Sequence, residues 1–337
     1  MTTPAPVRNV GTVAGVAAAV LGGLAAATQS RVNGTLATEV GSGFGAAVVS
    51  FGSGLLWLTV AVLCWPAART ALGHVRTALR TGGLRPWEVL GGLGGGFYVA
   101  AQGLTVSSLG VALFMVAIVA GQSVSSLVVD RLGLAPGGVR LVTVGRAVGP
   151  ALTVVAVAVA VSGSVDRVED VWLAVIPLLA GIFQAWQQAM NGRVRGAAVP
   201  AAAPGAPPSS TFPGVAAATF MNFLVGTTAL VVAFAVSVLV GGWPEGALPT
   251  RWPLDLVLYS GGLLGIVFIA IQAAVVHRIG VLLLGLGLIA GQVVGALLLD
   301  VLVPGAAAPG AAMYVGAALT LVAVAVPLVE SRLRHRR

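Results

Sequence analysis

Apolar runs about as long as a bilayer is thick recur along the whole chain, and this limits its possible folds more than any other feature. A hydrocarbon core of about 30 Å takes around 20 helical residues. Inside it the backbone must satisfy its own hydrogen bonds, which leaves helices or closed barrels. Bounded by Arg, Pro and turn residues, the runs fall near 10–29, 44–64, 88–105, 110–129, 147–163, 171–190, 214–240, 255–275, 280–299 and 312–329. The expectation is an all-α polytopic membrane protein with ten transmembrane helices. The runs after Ser107 and after Gly280 follow their predecessors so closely that each pair must form a tight helical hairpin. Composition excludes a water-soluble globule: 8% of residues are charged and the mean hydropathy is +1.01, whereas a soluble domain carries roughly 25% charge.

The ten runs divide into two similar groups of five, and an internal repeat outranks other organisational signals. Gln29-Ser-Arg-Val-Asn33-Gly34 matches Gln187-Gln-Ala-Met-Asn191-Gly192, and Phe51 and Gly54 match Phe223 and Gly226. GGLGGGFYVAAQ at 91–102 matches GGLLGIVFIAIQ at 261–272, and LGVALF…AGQ…D at 109–130 matches IGVLLL…AGQ…D at 279–300. VGPALTVVAVAV at 148–159 matches VGAALTLVAVAV at 315–326. The expected units are 1–165 and 166–337, joined by the polar connector SGSVDRVED near 163–170. With five spans per unit the second copy enters the membrane from the opposite side, giving a 5+5 inverted repeat.

Arginine placement sets the orientation. The chain has 18 Arg and no Lys, and fifteen of these fall in segments on the N-terminal side of the membrane; Arg31, Arg167 and Arg251 fall on the other. The positive-inside rule then puts both termini in the cytoplasm, together with an Ala- and Pro-rich loop at 193–213. The arginines form no basic domain, so nothing points to nucleic acid. Cys64, the single cysteine, reads as a small apolar filler. His277, beside Arg278, reads as a solvated edge residue.

Small residues at four-residue spacing let helix backbones approach closely where lipid supplies no driving force. Gly91 and Gly95, Gly121, Gly261 and Gly265, and Gly287, Gly291 and Gly295 fit that pattern. The polar residues inside the spans are mostly amides. Gln29 and Asn33 share a helix face, as do Gln187 and Asn191, while Gln102 pairs with Gln272 and Gln122 with Gln292 across the duplication. Gln122 and Gln292 lie eight residues, about 12 Å, from Asp130 and Asp300, which puts them near the midplane. They are expected to border a common central cavity, with Gln29 and Gln187 nearer its ends; the competing reading of any one amide is interhelical hydrogen bonding. No carboxylate lies at mid-span, and Asp130 and Asp300 read as terminators at the membrane faces. Enzyme signatures (HExxH, GxSxG, paired Cys or His ligands) are missing, so no catalytic residue, metal or cofactor is expected.

With those residues in place the chain resembles the drug/metabolite transporter superfamily, nearest to its YdcZ-like branch of bacterial inner-membrane transporters, whose unit is a five-helix half. The resemblance rests on Q-x-x-x-N-G at 29–34, GG-x-x-G-x-F/Y-V-x-x-Q at 91–102 and LG-x-A-L-F…AGQ…D at 109–130. The second copy departs from these with Leu282 for Ala112, Phe268 for Tyr98 and the Pro-rich insertion after Arg195. It implies a ten-helix transporter with a central cavity; Tyr98 is expected to join the amides at the substrate. The expected partners are the lipid bilayer and a small organic solute, and the expected state is a monomer or homodimer in a bacterial-type plasma membrane. The other class considered is a non-transporting membrane scaffold or assembly protein, which a large soluble loop would favour. Reporter fusions should place Arg337 and the 193–213 loop in the cytoplasm; an external Arg337 contradicts the orientation.

Overall fold

The computed structural model describes residues 7–134, 138–139, 144–162, 168–199, 212–303 and 309–334. Within them the regular elements are α1 (Val7–Val40), α2 (Gly43–Cys64), α3 (Pro66–Thr81), α4 (Gly92–Arg131), α5 (Val144–Ser162), α6 (Val168–Ala198), α7 (Phe212–Gly241), α8 (Gly261–Leu302) and α9 (Ala311–Arg334). Short 3-10 turns at Pro86–Val89 and Leu254–Tyr259 precede α4 and α8. Among the described residues six stretches are long and apolar enough to cross a membrane: Val13–Val40, Gly43–Cys64, Pro86–Arg131, Trp172–Ala198, Phe212–Gly241 and Leu284–Leu302. Three shorter apolar helices accompany them, at Ala147–Ala160, Gly261–Gln272 and Ala311–Ala323.

Three boundaries differ from expectation. Helix α1 runs eleven residues beyond Gln29, so Asn33 lies inside it. Helix α6 continues through Arg193 and Arg195 to Ala198, because nothing before Pro200 interrupts its backbone bonds. The loop expected from 193 therefore begins later; 200–211 lie outside the described residues, as do 163–167 of the connector and the terminal 335–337. Between α2 and α4 the arginine-rich segment is itself a helix, α3, started by Pro66 in its first turn and ended by Gly82 at φ 78°.

Helix α4 has 40 residues, about 60 Å if straight, but it cannot be straight. Arg193 lies 3.2 Å from Glu88 Oε1, just before α4 begins, and donates to the carbonyls of Gly133 (2.9 Å) and Leu134 (2.6 Å), just after it ends. One side chain thus ties both ends of a folded-back hairpin. The reversal is at Gly110, with φ 75° and ψ 163°, a region that glycine enters without a Cβ penalty. Asp300 supplies the missing helix cap, accepting from Val111 N–H (3.1 Å) and Ala112 N–H (2.7 Å). Asp300 keeps the expected place in the last turn of its own helix, which ends at Leu302, and it is 5% exposed because it also caps a helix of the other half. Helix α8 also doubles back, since a Cβ on Gly22 would meet both Ile271 (3.2 Å) and Leu288 (3.0 Å).

Each hairpin packs against the first helix of the opposite half, α8 on α1 and α4 on α6. The glycines permit it. A Cβ on Gly23 would run into the Leu288 carbonyl and the Gln292 N–H, and one on Gly181 into the equivalent Ile118 carbonyl and Gln122 N–H. Gly121 and Gly291 return the contact against the backbones of Leu178 and Val20. Gly91 and Gly95 meet α6 at Met190 and Gln187; Gly261 and Gly265 meet α1 at Asn33 and Gln29; Gly287 and Gly295 meet it at Ala19 and Ala27. At the centre Phe51 and Phe223 stack with ring centroids 4.5 Å apart. Each ring fills the space above the other helix's glycine, Phe223 over Gly54 and Phe51 over Gly226. Aligned residues touching one another reciprocally is what a two-fold axis produces.

The Asp300 cap should be measurable as stability. Asp300→Ala removes both acceptors, and each charge-assisted bond contributes about 1.5–3 kcal/mol. Asp300→Asn keeps one acceptor oxygen. Thermal unfolding in detergent should rank wild type above Asn above Ala; an Ala variant as stable as wild type contradicts the cap.

Candidate substrate cavity

The sequence-selected polar residues separate into two groups. The first is bound up in helix packing. Gln29 Nε2 donates to the Gly261 carbonyl (2.9 Å), where the 3-10 turn hands over to α8. Asn33 Nδ2 donates to Gln102 Oε1 (2.6 Å), and Gln102 Nε2 donates to Ser30 Oγ (2.7 Å). Tyr98 is 5% exposed, with its hydroxyl turned toward Ser30 and Gln102. On the other side Asn222 Nδ2 donates to Asn191 Oδ1 (3.1 Å), and Gln187 Nε2 lies 2.7 Å from where a Gly95 Cβ would stand. Gln29, Asn33, Gln102, Gln187, Asn191 and Tyr98 thus lie between helices in this conformation and do not line the cavity. Buried amides must find partners, and here the neighbouring helix supplies most of them.

The second group is Gln122, Gln272 and Gln292, which line one cavity of about 70 Å³. Gln122 and Gln292 come from equivalent arms of the two hairpins, and among the described residues neither Oε1 has a hydrogen-bond partner. A buried acceptor left unpaired costs about 1–3 kcal/mol, a condition these two atoms share with Asn33 Oδ1, Gln184 Oε1 and Asn222 Oδ1. The amide pair Gln184 and Gln188, one turn apart, was legible as a cavity candidate, and Gln188 lines this wall; Phe268 and Gly285 were not singled out for it. Gly285 could have been found by comparing the copies, because its counterpart is Met115. None of the lining side chains is ionisable.

The aligned positions are in different states. Ser30, Gln102, Phe114, Met115 and Ile118 are fully buried and close-packed. Their counterparts, in order, are Gln188, Gln272, Leu284, Gly285 and Leu288, and all five line the cavity. Part of the cause is volume: Met115 fills what Gly285 leaves empty, and a Cβ on Gly285 would meet nothing within 4 Å. Part is polar, since the Ser30–Gln102–Asn33 chain holds one wall shut and the shorter Phe268 offers no hydroxyl in place of Tyr98.

A second recess of about 270 Å³ opens along α1, lined by Arg31, Thr35, Thr38 and Glu39 with Val106 and Ser107 of α4. Among the described residues no three His, Cys, Asp or Glu side chains come together as metal ligands would. His277 has its side chain outside the described set.

Long apolar helices, two hairpins interlocked through glycines and an uncharged polar cavity between the halves define a multi-pass helical membrane protein. The chain belongs to the family described as "Putative inner membrane exporter, YdcZ", which it matches over residues 14–159 and 210–326. One matched stretch falls in each copy of the duplication. A solved structure titled only "Crystal structure of protein" superposes with a TM-score of 0.54 at 20% identity, over 97% of this chain and 99% of the other, a likeness of fold alone. No curated protein matches the chain.

Proposed function

We propose that the protein is a ten-span carrier, built as a 5+5 inverted repeat, that exports a small organic solute by alternating access. The span count follows if the two arms of α4 are counted separately and the three shorter apolar helices are added to the remaining long stretches. Export is the direction given in the family's description. Both termini are taken as cytoplasmic from the arginine distribution.

One observation supports the mechanism: equivalent positions border a cavity in one copy and are close-packed in the other. In an inverted repeat, exchanging the two conformations turns an inward-facing cavity into an outward-facing one around the same central residues. Gly285 lies near the start of the second arm of α8, the end that the arginines mark as cytoplasmic. The cavity in this structure is then the inward-facing one. Exchange would close it, release Gln102 from Ser30 and Asn33, and open the mirror-image space around Met115, Tyr98 and Gln102. Gln122 and Gln292 remain central in both states. An amide carries both a donor and an acceptor, so the wall suits an uncharged or zwitterionic solute. Drug-sized ligands occupy pockets of about 300–1,000 Å³, so on this reading the cavity of about 70 Å³ must widen when solute binds.

Metabolite profiling tests the reading. Cells producing the wild type should show particular solutes depleted inside and enriched in the medium, relative to cells lacking the protein. Gln122→Leu/Gln292→Leu, and Gly285→Met, which copies the other half, should abolish most of that shift at equal membrane abundance. No solute shift, or the same shift with either variant, counts against a carrier working through this cavity.

A further inference from the structure

We propose that α3 is a binding rail for anionic phospholipid, its arginines holding headgroup phosphates of the leaflet in which it lies. At 3.6 residues per turn, Arg69, Arg76 and Arg80 fall within roughly 40° of one another, and all three are exposed. The buried side, Ala68, Ala71 and Val75, lies roughly 100–160° round the helix from their centre. Helix α3 contains no acidic residue, and no ion pair among the described residues engages Arg76 or Arg80. The nearby carboxylate, Glu88, is already committed to Arg193 and to the Arg85 N–H.

The position of α3 identifies the partner. Only Trp65 separates it from α2, and its buried side packs on Val194 and Ala198 near the end of α6 and on Ala217 and Ala218 near the start of α7. It therefore lies across the level at which three spans end. The direction of the stripe follows from Arg69, which donates to the Leu63 carbonyl in the last turn of α2. Leu63 continues an exposed apolar face with Leu56, Trp57 and Val60, the face α2 turns to lipid. The stripe thus starts directly above that lipid and continues along it. Trp65 and Trp87, both at least a third exposed, flank it, as aromatics do at membrane interfaces. Guanidinium groups bind phosphate through paired, planar hydrogen bonds, so a row of three would hold successive headgroups.

The test uses the full chain in bilayers mixing phosphatidylglycerol with phosphatidylcholine, reading by native mass spectrometry which lipid stays bound after mild detergent extraction. Wild type should retain phosphatidylglycerol in excess. Arg76→Gln/Arg80→Gln should lose about fivefold of that preference per arginine, and Arg76→Lys/Arg80→Lys should keep much of it. The single Gln variants, each expected to lose part, serve if the double variant does not fold. Equal retention of the two lipids by wild type, or unchanged preference in the Gln variants, overturns the proposal. So does a preference abolished by millimolar inorganic phosphate at constant ionic strength, which would assign the stripe to a soluble anion.

Discussion

Glycine against backbone carbonyl, between the two halves, is the contact on which the rest of this architecture depends. In lipid there is no hydrophobic gain from bringing apolar helices together, so association relies on close packing. Gly23 and Gly291 let α8 sit against α1, and Gly181 and Gly121 let α4 sit against α6. Each hairpin is held by the other half's first helix, although some glycines, such as Gly43 and Gly103, also pack within one half. The stacked Phe51–Phe223 pair lies between the two halves, each ring over the other helix's glycine. The Arg193 and Asp300 contacts are consequences: each secures a hairpin to the other half, one at its ends and the other at its tip.

The symmetry of the packing gives the asymmetry of the cavity its meaning. Two halves with equivalent backbones hold different side-chain arrangements at aligned positions. They differ in side-chain size at a few of them, Met115 against Gly285 and Ser30 against Gln188. A fully symmetric core would have no preferred side. Gln102 of the closed wall bonds Ser30 and Asn33, while Gln272 at the aligned position borders the cavity. The same residue type is therefore packed between helices in one copy and borders the cavity in the other.

Much of this was legible in the sequence, and the reasons are specific. The hairpins followed from spans separated by too few residues for a loop, and the packing surfaces followed from glycines four apart, since both signals are local. The pairing of Gln122 with Gln292 followed from alignment of the copies. What could not be read was which amides packing would consume: Gln102 and Gln272 occupy matching motifs, and only the neighbours Ser30 and Asn33 distinguish them. The role of Asp300 depends on a helix break at Gly110, far away in sequence. The arginines of 65–87 were visible as charge, but their helical spacing became evident as a stripe only once Ala68, Ala71 and Val75 were found beneath the helix.

The central claim is that the two halves exchange open and closed walls, and cysteine accessibility at one aligned pair tests it most directly. In a Cys64→Ser background, Gly285→Cys and Met115→Cys would each be labelled in sealed membranes with an impermeant maleimide applied to one face at a time. The account predicts labelling of Gly285→Cys from the cytoplasmic face and of Met115→Cys from the opposite face, with each protected by labelling of the other. Both cysteines reacting from one face, or Met115→Cys never reacting from either, contradicts it.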